Sequence, residues 1–286
     1  MEKLGFVILH YCSIEDTIKC VSSIDQFMKD ENYCIVIVDN ASPNGTGIEL
    51  QEKYRDHSCC KVILNEENVG FAKGNNTGFR YARDFFECDY ICLMNSDTYL
   101  LDDKFFTSIR EAYQKYGYYV LGPDVYTPDG VQCNPLGDHA LTYDETKQKI
   151  VSLKIQILLN HVNLDAVLRK ALKKNFSEDT KYKRDEYYKN VKLHGCCFVV
   201  SRKFIDEYDG LNEGTFLYLE EDLLYLMMMR DQKVTLYCPE TKIFHSEDGS
   251  TNYIKKGRKK RLFILKNHLN SMRVICGYLS GSNSEN

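Results

Sequence analysis

Cys34-Ile35-Val36-Ile37-Val38-Asp39 is an unbroken apolar run that ends in a carboxylate, and it is the clearest strand pattern in this 286-residue chain. Continuous runs of β-branched residues are typical of strands in a parallel sheet whose two faces are both covered. A cluster of turn formers, residues 40–45, ends the strand. Three similar runs lie on either side of it, at residues 5–11, 61–65 and 90–94.

Segments with helical spacing separate these strands, at residues 13–28, 48–54 and 70–86. Strands and helices therefore alternate over the first hundred residues. This alternation predicts an α/β fold, a Rossmann-like mixed and mainly parallel sheet flanked by helices. In such sheets ligands bind beyond the carboxyl ends of the strands.

The second half of the chain is less regular. Residues 141–190 are polar and mainly helical in pattern, and we interpret them as an insertion over the sheet. Further strands are predicted at residues 196–200 and 234–237, with helices at 202–208 and 221–230. We expect one domain over residues 1–250, which includes the insertion, and a basic amphipathic tail over residues 251–286.

The composition excludes several classes of protein. The chain is 43% hydrophobic and 27% charged, so it is neither disordered nor a low-complexity repeat. It has no run of about 18 apolar residues, as a spanning helix requires, and its N-terminus is too weakly apolar for a signal peptide. The twelve cysteines lie largely in apolar runs without CxxC pairs, so we expect free buried thiols in a reducing cytoplasm.

The charge is divided unevenly along the chain. The net charge is −4, but residues 251–286 carry eight basic side chains and one acid, which leaves −11 on residues 1–250. Apolar residues recur in the tail at steps of three and four, from Leu262 to Cys276, as in a basic amphipathic helix. Two interpretations remain open: packing against the domain, or docking of residues 255–276 on an anionic membrane surface. We expect no nucleic-acid partner.

Polar residues at the predicted strand ends are candidates for ligand binding. Asp39 can accept hydrogen bonds from a nucleotide or simply cap the next turn. The Gly- and Asn-rich segment 68–78 leads into a helix and can bring backbone N–H groups near an anion, although it matches neither a Walker A loop nor GxGxxG. Asp97, in Asn95-Ser96-Asp97, can bind a hard divalent cation or cap a helix.

A second group of candidates is acidic or imidazole-bearing. Glu220, Glu221 and Asp222 are adjacent, and their negative charges repel. If these carboxylates are enclosed, one of them would have a raised pKa or they would need a partner cation. The alternative interpretation is a solvated acidic helix start. His245 can join Asp97 on a metal, and His194 can contact a second substrate. A structural role is the alternative for both histidines.

The order of these segments resembles the bacterial family 2 glycosyltransferases with a GT-A fold, especially rhamnosyltransferase-like and capsular-polysaccharide members. The resemblance covers residues 3–250. It rests on seven segments in the same order: Val7-Ile8-Leu9-His10-Tyr11, Val38-Asp39-Asn40-Ala41-Ser42, residues 68–76, Asn95-Ser96-Asp97, His194-Gly195, residues 216–222 and His245.

The resemblance implies a role for each candidate on the donor side. Asp39 would hold the base of a nucleotide sugar, with Tyr11 and Asn40 nearby. The nucleotide and phosphates would be lined by Asn68, Phe71 and Asn75. Asp97 resembles the last residue of the family's DxD motif and would bind Mn²⁺ or Mg²⁺ with His245; Asn95 replaces the first aspartate, a departure that leaves strict metal dependence open.

The family also implies an acceptor side and a base. His194 and Gly195 would contact the acceptor. Glu221 occupies the position of the family's base without a gap, and Asp222 takes that position after a one-residue shift; Glu220 completes the acidic group. One base suffices for transfer with inversion at the anomeric carbon.

We therefore expect an inverting, metal-dependent enzyme of surface polysaccharide or glycoconjugate synthesis. Its donor would be dTDP-rhamnose or a UDP-hexose, and its acceptor a saccharide or a lipid-linked saccharide. We expect it in the cytoplasm, with attachment to the inner face of the membrane as an open alternative. Two other hypotheses remain: a non-catalytic nucleotide-sugar-binding subunit, and a nucleotidyltransferase, which would need a basic Gly-rich loop after the first strand.

Overall fold

The four continuous apolar runs form neighbouring parallel strands. In a computed structural model that describes residues 1–161, 182–247 and 257–281, they lie in the order β3-β2-β1-β4. Their bounds are β1 Leu4–His10, β2 Tyr33–Asp39, β3 Cys60–Leu64 and β4 Tyr90–Asn95.

The sheet continues beyond β4 with strands of mixed direction. Its remaining described strands are β5 Thr98–Leu100, β6 Val120–Tyr126, β7 Tyr188–Lys189, β8 Cys197–Val200 and β9 Thr235–His245. The full order is β3-β2-β1-β4-β8-β6-β9-β5, with β7 paired to β9. β8 is antiparallel to β4 and β6, whereas β6 and β9 are parallel. The predicted mixed, mainly parallel sheet is confirmed.

Eight helices of the described residues flank this sheet. They are α1 Ile14–Phe27, α2 Thr46–Lys53, α3 Phe71–Asp84, α4 Phe105–Tyr116, α5 Tyr143–His161, α6 Arg202–Glu207, α7 Glu220–Arg230 and α8 Gly257–Leu279.

Both faces of the sheet are buried, as the continuous apolar runs predict. Phe6 and Ile8 of β1 point into a core shared with Ile24 of α1, while Val7 points into the opposite core with Phe79 of α3. Successive side chains of a strand face opposite sides, so each needs apolar neighbours when helices cover both faces. Eight of the twelve cysteines are buried as thiols in these cores or beside them.

The C-terminal helix α8 packs inward. Its apolar side chains Leu265, Leu269, Met272 and Ile275 are buried, and the Nη2 atom of Arg258 donates a 2.6 Å hydrogen bond to the carbonyl of His161 in α5. The apolar stripe of the tail therefore packs against the domain, which is the first of the two interpretations of its pattern.

Parts of two predictions lie outside the described residues. These are residues 162–181 of the predicted insertion, and residues 251–256 and 282–286 at the start and end of the basic tail, which include Lys255 and Lys256; residues 248–250 before the tail also lie outside. Within the described residues, no helix combines the length and the apolar character needed to cross a membrane.

Candidate active site

A cavity of about 460 Å³ opens at the carboxyl edge of β1, β2 and β4. The loop that precedes α7, residues 214–219, forms its opposite wall, and we call this segment loop 214–219. Eleven of the predicted site residues line the cavity: Tyr11, Asn40, Asn68, Phe71, Asn95, Asp97, His194, Gly195, Glu220, Glu221 and His245. The fold therefore brings together residues that are up to 234 positions apart in the chain.

Asp39 lies beside the cavity and is not part of its lining. Its carboxylate accepts hydrogen bonds from the backbone N–H of Ser42, at 3.2 Å to Oδ2, and from the Ser42 hydroxyl. Gly47 packs on the same carboxylate, because a Cβ atom there would lie 2.2 Å from Asp39 Oδ2. In this structure Asp39 thus stabilises the turn before α2, and its role toward a donor stays a prediction.

Asn40 organises the donor-side loop through its side-chain amide. Its Nδ2 donates to the Asn68 side chain and to the Gly70 carbonyl, both at 3.1 Å. Its Oδ1 accepts from the backbone N–H of Val69 at 3.1 Å. Asn75 lies one turn into α3, where its Nδ2 donates to the Phe71 carbonyl at 3.0 Å, and it does not line the cavity.

Gly70 joins the two walls of the cavity. Its φ of +87° is in the region that favours glycine, and a Cβ atom there would lie 2.4 Å from the carbonyl oxygen of Phe216. That same oxygen accepts a 2.7 Å hydrogen bond from the backbone N–H of Phe71. A side chain at position 70 would therefore push the donor-side loop away from loop 214–219.

Asp97 and His245 meet on neighbouring strands. β5 pairs with β9 so that Thr98 is opposite His245, and Ser246 N–H donates to the Asp97 carbonyl at 3.0 Å. His245 Nε2 lies 3.3 Å from Asp97 Oδ1, and both side chains are largely buried.

This separation fits two ligands of one small cation. Ligands about 2.1 Å from a metal and at right angles to each other lie about 3.0 Å apart. Nδ1 of His245 is buried and has no hydrogen-bond partner among the described residues. Within those residues no group of three or more His, Cys, Asp or Glu side chains is arranged to hold a metal ion, so an ion here would take its other ligands from substrate or water. Asn95 lines the cavity nearby.

His194 is held as a neutral imidazole. Burial lowers its pKa to about 4, and the neighbouring His245, with ring centroids 5.7 Å apart, acts in the same direction. Its Nδ1 accepts a 3.1 Å hydrogen bond from the backbone N–H of Cys196, so the ring proton is on Nε2. The backbone N–H of His194 donates to Asn134 Oδ1 at 3.0 Å.

The three adjacent acids at the start of α7 have different surroundings. Glu220 is 7% exposed, its Oε1 has no hydrogen-bond partner within the described residues, and burial raises its pKa to about 7. Glu221 faces the cavity, and burial together with the adjacent Asp222 raises its pKa, while Lys192 opposes that rise. Asp222 points elsewhere and forms a 2.7 Å ion pair with the Lys192 ammonium.

Gly195 leaves room beside the Glu221 carboxylate. A Cβ atom at position 195 would lie 3.5 Å from Glu221 Oε2, which is ordinary contact distance. The absence of that atom keeps a small space open next to the carboxylate. A hydroxyl group could approach Glu221 from this side.

Two adjacent residues before α7 have left-handed backbones. Tyr218 has a φ of +72° and Leu219 a φ of +68°. For residues with a Cβ atom this conformation costs about 1–2 kcal/mol each. Loop 214–219 is thus strained where it delivers Glu220 and Glu221 to the cavity.

Several residues of this site had no role predicted from the sequence. Phe216 and Tyr218 line the cavity within a quoted motif, but no pattern indicated what they touch. Lys192 gave no signal at all, because a lone lysine 30 positions from Asp222 has no recognisable spacing.

Solved structures with related architecture carry nucleotide ligands. The crystal structure of GalNAc-T7 with UDP, GalNAc and Mn²⁺ aligns with a TM-score of 0.59 at 14% identity, covering 93% of this chain and 48% of that one. S. aureus TarS in complex with UDP aligns with a TM-score of 0.54 at 14% identity, covering 93% and 64%. At this identity the likeness shows the fold, and the predicted GT-A architecture is confirmed.

A curated relative and a family profile extend the comparison to sequence. The low-salt glycan biosynthesis hexosyltransferase Agl10 of Haloferax volcanii is 24% identical over 224 residues, which is 77% of this chain. The chain spans about 60% of the length of that relative. The sequence profile of the family described as "Glycosyl transferase family 2" matches residues 7–209. The chain therefore belongs to glycosyl transferase family 2.

Proposed function

We propose that this protein is an inverting glycosyltransferase that moves a hexose from a nucleoside-diphosphate sugar to an acceptor hydroxyl. One observation carries the proposal. A single cavity holds the Asp97–His245 pair, suited to a cation, together with Glu221, a carboxylate whose pKa is raised. Family membership and the hexosyltransferase relative support the same activity.

The donor would lie along the carboxyl ends of β1, β2 and β4. Tyr11, Asn40 and Asn68 line that side, and α3 begins there at Phe71, so the N-terminus of this helix would lie near the phosphates of the donor. Asp97 and His245 would hold Mn²⁺ or Mg²⁺, and the bound cation would supply positive charge to offset that of the leaving diphosphate. This side of the cavity thus provides recognition of the base and the diphosphate.

Glu221 would act on the acceptor. Its carboxylate takes the proton from the acceptor hydroxyl as that oxygen forms a bond to the anomeric carbon. The bond from that carbon to the diphosphate oxygen breaks on the opposite face, and the electron pair leaves with the nucleoside diphosphate. Attack from the far side inverts the anomeric configuration, and no covalent sugar–enzyme intermediate is needed.

We propose dTDP-rhamnose or a UDP-hexose as donor and a saccharide or lipid-linked saccharide as acceptor. The relative named for glycan biosynthesis supports a role in surface polysaccharide or glycoconjugate assembly. His194 and Gly195, next to Glu221, are the proposed acceptor contacts.

A peripheral contact with an anionic membrane on the cytoplasmic side is a further part of this proposal. The apolar stripe of α8 is buried, but α5 presents an exposed stripe of Val151, Ile155 and Leu158, between 51% and 64% exposed. Arg258 and Lys259, both exposed, begin α8 at the end of α5. An apolar stripe flanked by basic side chains fits an anionic lipid surface.

Vesicle flotation tests the membrane contact. We expect binding to vesicles with anionic lipid and none to neutral vesicles, and loss of binding in a Val151→Ser/Ile155→Ser/Leu158→Ser variant. Ile48→Ser is the matched control, because Ile48 is 67% exposed elsewhere on the surface. Equal flotation of the triple variant and the wild type would contradict this contact.

A donor panel tests the activity. Thermal shift with nucleotide sugars and Mn²⁺ or Mg²⁺ should single out one donor, because a ligand that binds the folded state raises its melting temperature. That donor should then release its nucleoside diphosphate in the presence of saccharide acceptors. Tight binding without release for any acceptor would favour the alternative of a non-catalytic nucleotide-sugar-binding subunit, for which Asn95 is the supporting feature.

A further inference from the structure

The C-terminal helix α8 contacts loop 214–219 along one side. The rings of His268 and Tyr218 stack with centroids 4.6 Å apart and planes within 1° of parallel. The hydroxyl of Ser271 donates a 3.2 Å hydrogen bond to the carbonyl of Leu217. These two contacts come from adjacent turns of α8.

A third contact extends the same line. A Cβ atom at Gly214 would lie 2.8 Å from Val274 Cγ1, so the start of the loop is also packed closely on α8. Ser271 is 1% exposed, and Met272 beside it is buried in the core. Helix α8 is thus fixed to the domain at the place where it touches the loop.

The contacts coincide with the strained part of the loop. Tyr218, which stacks on His268 and directly follows the carbonyl of Leu217, and the next residue, Leu219, both have positive φ. Such a conformation persists only where the surroundings hold it. The next two residues are Glu220 and Glu221, so the conformation of the loop sets where both carboxylates point.

We infer that α8 is a positioning element of the active site: His268 and Ser271 hold loop 214–219 in the conformation that presents Glu221 to the acceptor. This inference rests on the proposed function. His268 and Ser271 do not line the cavity; they act through Tyr218 and Leu217, which do. The region described by the family profile ends at residue 209, before the loop and the helix.

Kinetics should separate positioning from a general loss of structure. We expect His268→Ala to lower kcat by about 10- to 100-fold, as misplacement of a reacting group does, with the donor KM near the wild-type value because Asn68 and Asp97 are not disturbed. Ser271→Ala should act in the same direction. His268→Phe keeps an aromatic ring on Tyr218 and should restore most of kcat.

The control and a second readout keep the inference open to refutation. Lys266→Ala changes an exposed side chain of the same helix and should leave kcat unchanged. Amide hydrogen exchange of residues 215–222 should become faster in His268→Ala and Ser271→Ala, and not in Lys266→Ala.

The outcomes distinguish this inference from the proposed function. If the wild type transfers sugar while His268→Ala and Ser271→Ala keep full kcat and unchanged exchange, the positioning role is wrong. If no donor is turned over by the wild type, the proposed function fails, and the exchange measurement still decides whether α8 holds the loop. Should His268→Ala fail to fold, Ser271→Ala provides the same comparison.

Discussion

The Nζ atom of Lys192 lies 2.7 Å from Oδ1 of Asp222. Both side chains are mostly buried, and the ion pair engages the carboxylate of Asp222, one of the three acids at the start of α7. Glu221, one residue earlier, faces the cavity and has no such partner within hydrogen-bond distance among the described contacts. The pair supports Glu221 over Asp222 as the base.

The first prediction compares these two acids. Glu221→Gln should lower kcat by about 10²- to 10⁴-fold, because the amide cannot accept the acceptor's proton. Asp222→Asn should stay within about tenfold of the wild type, since it alters an ion pair and not the base. Steady-state transfer rates with the identified donor check this, with circular dichroism to verify folding. The reverse order of the two losses would assign the base to Asp222.

The second prediction concerns the pH dependence of transfer. The positive charge of Lys192 opposes the rise in the pKa of Glu221, so Lys192→Met should raise that pKa further. Because the base works as a carboxylate, the acidic limb of the kcat/KM profile should move to higher pH. Lys189→Met, an exposed lysine three residues earlier, should leave the profile unchanged. If the acidic limb of Lys192→Met stays where it is in the wild type, Lys192 does not influence the pKa of Glu221.

The third prediction concerns stability. Burial raises the pKa of Glu220 from 4.5 to about 7, so the folded protein binds this proton more tightly than the unfolded chain. The contribution to stability is fully present below about pH 4.5 and is lost as the pH rises to about 7. The shift corresponds to roughly 3 kcal/mol. Glu220→Gln should therefore lose less unfolding free energy than the wild type between pH 5 and pH 8.

Urea unfolding at both pH values checks this difference. The wild type and Glu220→Gln should have similar stability near pH 5, whereas Glu220→Gln should be more stable at pH 8. Parallel pH profiles for the two proteins would show that Glu220 does not titrate in this range.

The fourth prediction concerns the cation. Asp97→Asn should weaken Mn²⁺ binding at least about tenfold, because it removes a charged ligand, and Asn95→Asp should tighten it. Electron paramagnetic resonance of free Mn²⁺ in the presence of the nucleoside diphosphate measures this without any turnover. Asp103→Asn is the control, an exposed acid a few residues away. Equal Mn²⁺ affinity in all four proteins would exclude Asp97 as a ligand.

The sequence predicted the central strands well because their signal is local. Runs such as residues 34–39 carry β-branched residues without interruption, and the structure confirms them within about a residue. Strand β6 was missed, since Gly122 and Pro123 in its middle suggest a turn. Strand β5 was missed as well, because three residues carry no periodicity.

Side-chain partners were harder to predict than strand ends. The carboxylate of Asp39 follows β2 as expected, yet Ser42 folds back to bind it, and no pattern indicates which of two neighbouring polar groups will pair. The tail shows the same difficulty on a larger scale. Its apolar spacing predicts a helix correctly, but the surface that the helix covers, including loop 214–219, depends on the tertiary fold.

If one cavity binds a nucleoside-diphosphate sugar and Glu221 is the base of the transfer, loss of the Glu221 carboxylate should stop the reaction and leave binding intact. Nucleoside-diphosphate release should be measured alongside donor affinity for the wild type and Glu221→Gln, with Mn²⁺ present. We predict equal donor affinity in both proteins, with stoichiometric release and sugar transfer in the wild type and almost none in Glu221→Gln. Undiminished release by Glu221→Gln, or no donor binding by the wild type across the panel, would contradict the account.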